Sequence, residues 1–104
     1  MDEIVVFITA SSEDEAAKIA KALVETNFAG CVNIIKNIRS IYSWEGKIED
    51  EPEVLMIVKT RKPLFDDLIK KVKELHSYTV PEIIAMPIVK GSEDYLKWLR
   101  EVTG

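Results

Sequence analysis

The chain contains one cysteine and one histidine, and these are the side chains best suited to chemistry. The Cys31 thiol is a potential nucleophile and soft metal ligand, and the His76 imidazole titrates near neutral pH and commonly binds metals. Both also have structural interpretations, because a free cysteine often fills a buried apolar site and a histidine suits a helix C-terminus. One thiol and one imidazole cannot complete a tetrahedral site, so a metal would need Met56, Met86, carboxylates or a second copy of the chain.

Hydrophobic periodicity predicts the elements that position these residues. Apolar or alternating runs predict four strands, with a bulge near Lys36 and a tight turn at Glu45-Gly46. The predicted strands are Ile4–Thr9, Cys31–Trp44, Lys47–Thr60 and Glu82–Val89. Ser12 and Glu15 have the spacing of a capping box and predict the start of a first helix. Pro63 predicts the first turn of a second helix, and Ser92 predicts the cap of a third.

The predicted order is βαββαβ followed by a C-terminal helix. This order is typical of a ferredoxin-like α+β fold, with one antiparallel sheet in the strand order 4-1-3-2. Residues 1–104 are expected to form a single domain, since one core is the norm at this length. Pro87 falls in the fourth strand, at an edge of the sheet, where a missing N–H group does the least harm.

The two central strands predict self-association. Helices in this fold cover one face of the sheet, so the other face should carry polar residues at alternate positions if it met water. The runs IVVFIT and VLMIVKT carry almost none. A second copy of the chain is the simplest cover for such a face, and it could also pair with the edges of the long hairpin.

Several segments together resemble the CutA family. They span nearly the whole chain in matching order and spacing, and they read Ala29-Gly30-Cys31-Val32-Asn33-Ile34, Ser40-x-Tyr42-x-Trp44-x-Gly46-Lys47, Glu53-x-x-x-x-x-Lys59-Thr60, His76-x-Tyr78-x-x-Pro81-Glu82-Ile83 and Tyr95-x-x-Trp98-Leu99. The resemblance implies a ferredoxin-like homotrimer similar to the PII signalling proteins. It also implies a role in divalent-cation tolerance, copper in particular.

The resemblance makes Cys31 and His76 the candidate metal ligands. Some family members carry a further cysteine and a second histidine, but this chain has Ile8 and Leu75 at those positions. The expected cofactor is a divalent cation such as copper, and the fold is not expected to require it.

The remaining residues of the family pattern predict a ligand cleft or a subunit contact. They are polar or aromatic and comprise Tyr42, Trp44, Glu53, Lys59, Tyr78, Glu82 and Trp98. As a contact, they would supply aromatic packing and a Lys–Glu pair. As a cleft, they would bind a small anion or metabolite, with Lys59 countering its charge. Trp98 is assigned to the core or an interface.

Composition and missing motifs limit the possible functions. A net charge of −4 disfavours nucleic-acid binding, and the apolar runs are too short to span a membrane. A single cysteine suits a reducing compartment, so the protein is expected in the cytoplasm. Glycine-rich phosphate loops, nucleophile elbows and HExxH are absent from the sequence. The main hypothesis is therefore a non-enzymatic homotrimer. The alternatives are a PII-like metabolite sensor and a cysteine-dependent enzyme that uses Cys31 and His76.

Overall fold

A computed structural model describes residues 2–104 and contains the predicted elements. In chain order they are β1 (Glu3–Ala10), α1 (Glu13–Glu25), β2 (Cys31–Trp44), β3 (Lys47–Arg61), a 3-10 turn (Lys62–Leu64), α2 (Phe65–Leu75), β4 (Ile83–Pro87) and α3 (Glu93–Val102). The sheet is antiparallel and ordered β2-β3-β1-β4, which confirms the predicted ferredoxin-like topology. No helix of residues 2–104 is long and apolar enough to cross a membrane.

Local sequence signals account for the ends of the elements. Ser12 and Ser92 cap α1 and α3, and each side chain accepts a hydrogen bond from the backbone three residues on. Glu45 and Gly46 have φ angles of 49° and 78°, so they form the tight turn between the two long strands. Pro63 lies in the 3-10 turn just before α2.

The fourth strand is shorter than the sequence predicted. It ends at Pro87 instead of Val89, after pairing with β1 from Ile83 to Pro87. Pro87 has no N–H to donate, and beyond it a single backbone bond from Ile88 to Glu3 follows the strand. The edge position predicted for Pro87 is confirmed.

One face of the sheet holds the core. The side chains of β1 and β3 that point towards the helices are almost completely buried, and they are Ile4, Val6, Ile8, Ala10, Val54, Met56 and Val58. Burying these side chains is the main stabilising contribution to the fold.

The opposite face of the sheet is apolar and open, and we call it the open face. It comprises the alternate positions of the same strands and their partners in register, namely Val5, Phe7, Leu55, Ile57, Ile35, Ile84 and Met86. In a single chain Ile84 is 54% exposed and Met86 48% exposed. The sequence prediction of a second apolar face is therefore confirmed.

The β2–β3 hairpin projects beyond the rest of the sheet. Strand β1 pairs with β3 only between Val54 and Arg61, so the distal part of β3 has β2 as its only neighbour. The predicted bulge is present as a register shift between Ile35 and Ile38, where Asn37 has a φ of 62°. This shift returns Tyr42 and Trp44 to the same side of the sheet as the open face.

Candidate functional site

His76 is buried at the end of α2, and both of its ring nitrogens are hydrogen-bonded to the backbone. Nε2 donates to the carbonyl of Thr9 over 2.7 Å, and Nδ1 accepts the N–H of Tyr78 over 3.0 Å. These bonds describe a neutral imidazole with its proton on Nε2. The ring therefore fastens the segment after α2 to the end of β1, and neither nitrogen is free to bind a metal.

Glu15 supports the same segment from α1. Its carboxylate accepts hydrogen bonds from the N–H and hydroxyl of Ser11, both at 3.0 Å, and from the N–H of Ser77 at 2.8 Å. Burial by itself raises the pKa of Glu15, but these hydrogen bonds outweigh it and lower the pKa from 4.5 to about 2. The bonded carboxylate is thus strongly favoured over the protonated acid.

Glu15→Gln is expected to lower stability at neutral pH and to have little effect near pH 2. A group with a depressed pKa in the folded state stabilises the protein above its unfolded pKa, and that stabilisation is lost as the pH falls towards the folded pKa. We expect a loss of about 2 kcal/mol at pH 7. Urea unfolding of both proteins between pH 7 and pH 2 measures it. Glu25→Gln at the exposed end of α1 is the control, and a constant difference across the range would contradict this role.

The segment fixed by His76 forms one wall of a cleft of about 750 Å³. The hairpin forms the other wall. The predicted site residues that line it are Tyr42, Trp44, Glu53, Tyr78 and Glu82. The Tyr78 hydroxyl donates to Glu53 Oε2 over 2.7 Å, and its ring packs against His76 at a centroid distance of 4.7 Å. Five predicted residues therefore belong to one cleft.

The cleft is acidic, because Glu53 and Glu82 line it and the one cationic side chain in its lining, Arg39, is paired with Asp50. Glu49, Glu51 and Glu53 occupy alternate positions of β3, opposite Tyr42, Ser40 and Ile38 in the register. Desolvation and then the charges of Glu51, Glu53 and Glu49 raise the pKa of Tyr42. Burial and the hydrogen bond to Glu53 likewise raise the pKa of Tyr78. This potential disfavours an anionic ligand in the cleft of a single chain.

The other predicted residues lie in a separate patch around Cys31, which we call the thiol patch. Lys59 is opposite Cys31 in the register, and its ammonium donates to the thiol sulfur at 3.9 Å and to Asn33 Oδ1. Burial and then Cys31 raise the pKa of the Tyr95 hydroxyl, and the Tyr95 ring packs on Trp98 at 5.4 Å. Lys59 is therefore outside the cleft whose ligand it was expected to neutralise.

The structure does not bring Cys31 and His76 together in one chain. Cys31 is level with Lys59 and Val5, whereas His76 bonds to Thr9, four residues further along β1. Four residues of strand span about 13 Å. No cluster of three or more His, Cys, Asp or Glu side chains within residues 2–104 could hold a metal ion. The ligands of a single chain thus do not fit a copper site, and within one chain the thiol and imidazole are too far apart to form a catalytic pair.

Three residues that support the cleft or the thiol patch were not identified as such from the sequence. Glu15 was interpreted only as part of a helix cap, and Asn33 and Tyr95 only as parts of the family pattern. The carboxylate of Glu15 reaches Ser77, which lies 62 residues away in the chain. The spacing that marked Glu15 as a cap carried no information about this second partner.

Comparisons with known proteins agree with the fold. The family model described as "CutA1 divalent ion tolerance protein" matches residues 4–102. The "Divalent-cation tolerance protein CutA" of Thermus thermophilus is 53% identical over 98% of this chain and 99% of its own length. The solved structure of the Cut A1 protein from that organism superposes with a TM-score of 0.96, covering 98% of this chain and 99% of its own.

A plant relative matches over a smaller share of its own length. The protein named "Protein CutA, chloroplastic" from Arabidopsis thaliana is 44% identical over 96% of this chain, which spans 55% of that protein. This chain is therefore similar to about half of that plant protein. Since the family model covers nearly all of the sequence and the bacterial relative aligns almost end to end, this chain belongs to the CutA family of divalent-cation tolerance proteins.

Proposed function

We propose that this chain acts as a non-enzymatic homotrimer in divalent-cation tolerance and that its open face is the contact between copies. The apolar open face is the observation that carries the proposal. Its central side chains, including Phe7 and Ile57, are only half-buried in a single chain, and Ile84 and Met86 are about half exposed. A contiguous apolar surface of this kind is typical of a protein–protein interface.

A second copy is the occupant best supported by the hairpin. The distal part of β3, the outer edge of β2 and the outer edge of β4 have no strand neighbour within residues 2–104. Exposed strand edges next to an apolar face favour pairing with other strands, and each copy supplies both. The number three, and the PII-like arrangement, follow the family resemblance.

Light scattering after size-exclusion chromatography tests the assembly. We expect a mass three times the 11.8 kDa of one chain, maintained on dilution to about micromolar concentration, because dissociation would return the apolar open face to water. A mass of 11.8 kDa would contradict the proposal.

We further propose that a divalent cation, with copper as the expected metal, is bound weakly at ligands from more than one copy. The proposal rests on the family and on the partly exposed Cys31, and it invokes more than one copy because one chain offers no complete ligand set in residues 2–104. Thiolates are soft ligands that suit copper. The assembly is proposed to act in the cytoplasm, without nucleic-acid or membrane partners.

Cys31→Ala is expected to weaken Cu(II) binding at least about tenfold, whereas His76→Ala should leave the binding unchanged in its folded fraction. The difference follows because both nitrogens of His76 are occupied by backbone groups, while the Cys31 sulfur contacts only side chains, namely Lys59 and Asn33 at 3.9 Å and the Tyr95 hydroxyl. A tenfold change corresponds to about 1.4 kcal/mol of binding free energy. Calorimetric titration of the metal-free proteins measures it. Equal affinity in wild type and Cys31→Ala would remove Cys31 from the site.

A further inference from the structure

Lys59 carries a charge that this chain does not balance. Its side chain is half-buried on the open face, and its ammonium contacts only the amide oxygen of Asn33 and the thiol of Cys31. The ion pairs formed within residues 2–104 do not include Lys59. Covering the open face would bury this ammonium further, and a buried charge without a counter-ion is strongly destabilising.

Glu53 carries a negative charge that has no counter-ion among the described residues of this chain. It is only 7% exposed, and its one side-chain hydrogen bond comes from the neutral hydroxyl of Tyr78. None of the ion pairs of the described chain includes it. The neighbouring carboxylates of Glu49 and Glu51 add to its negative potential. A cation supplied from outside the chain would relieve this deficit.

The two residues lie on the same side of β3 but cannot meet within one chain. They are six positions apart on this strand, which corresponds to about 20 Å. Leu55 and Ile57 lie between them on the open face. Each copy therefore presents an apolar strip with a positive end at Lys59 and a negative end at Glu53.

We infer that Lys59 of one copy pairs with Glu53 of a neighbouring copy when the open faces meet. If two copies met with their Lys59 ends together and their Glu53 ends together, like charges would oppose each other and disfavour that arrangement. The pair thus selects the direction in which copies associate, and it closes the acidic cleft of one copy with the thiol patch of another. This inference rests on the proposed assembly of the open faces.

A double-mutant cycle tests the pairing. Lys59→Met removes the ammonium and keeps an apolar side chain, and Glu53→Gln removes the charge while its amide oxygen can still accept from Tyr78. We expect each single variant to weaken assembly about 100-fold, because each leaves one buried charge without a partner. The double variant should assemble at least as tightly as the single variant that assembles less tightly. Sedimentation velocity over a dilution series measures the dissociation constants.

The matched control is the ion pair between Lys71 and Glu74 on α2, which forms within one chain at 3.2 Å. Lys71→Met and Glu74→Gln should leave the dissociation constant unchanged, singly and together. Circular dichroism of every variant verifies that it folds.

A charge exchange gives a second test that does not depend on neutral substitutions. Lys59→Glu and Glu53→Lys are each expected to block assembly, and combining both in one chain should restore it to within about tenfold of wild type. Because the two positions are too far apart to pair in one chain, such restoration requires a contact between copies. Additive effects in the cycle, or coupling of Lys59 to Glu82 in place of Glu53, would overturn the inference while leaving the assembly standing. A monomeric wild type would overturn the assembly itself.

Discussion

Ile57→Lys is expected to convert the assembly into single chains of 11.8 kDa. Ile57 is level with Phe7 and Asn33 near the middle of the open face. An ammonium at this position would have to be buried without a partner when two copies meet, whereas in a single chain it can extend into water. We expect the dissociation constant to rise at least about 1000-fold, which corresponds to about 4 kcal/mol. Light scattering gives the mass directly.

Val24→Lys is the control for this substitution. Val24 is a β-branched residue of α1 that is 42% exposed, and it lies on the helical side of the molecule. A lysine at this position makes a similar change of charge and size, and it should leave the mass of the assembly unaltered. If Ile57→Lys remained assembled, or if both variants dissociated into single chains to the same extent, the open face would not be the contact between copies.

His76→Ala is expected to lower the free energy of unfolding by about 3 kcal/mol. The change leaves the Thr9 carbonyl and the Tyr78 N–H without their partners and empties the volume of a buried ring. An unsatisfied buried group costs about 1–3 kcal/mol, and a cavity adds to that loss. Urea unfolding at one fixed protein concentration measures the change, since assembly contributes to the apparent stability.

Lys73→Ala is the matched control, because Lys73 lies on the exposed side of the same helix. We expect it to change stability by less than about 0.5 kcal/mol. A similarly small loss for His76→Ala would indicate that water replaces both backbone bonds, and the imidazole would then be available for other chemistry.

The order and faces of the elements were predictable because they depend on local signals. The continuous apolar runs of β1 and β3, which lack polar residues at alternate positions, predicted two apolar faces, and the caps at Ser12 and Ser92 predicted where helices begin. The bulge was visible as a break in the alternation near Lys36. Each of these features is encoded within a few neighbouring residues.

The division of the site into two parts was not predictable in the same way. The carbonyl that accepts from His76 lies in β1, 67 residues away, and no spacing in the sequence indicates a contact with a backbone carbonyl. By contrast, the even spacing between Glu53 and Lys59 on one strand already implies the same face and a separation of about 20 Å. Because that length separates them, Glu53 lines the cleft of a single chain and Lys59 does not.

Oxidation of Met86 tests most directly whether the open face is covered. Met86 is 48% exposed in a single chain and lies on the open face, while Met56 in the core is completely buried and serves as an internal reference. The assembly model predicts that hydrogen peroxide oxidises Met86 in the wild type nearly as slowly as Met56, and that Ile57→Lys makes Met86 reactive. Equal, rapid oxidation of Met86 in the wild type and in Ile57→Lys would contradict the claim that copies of this chain cover the open face.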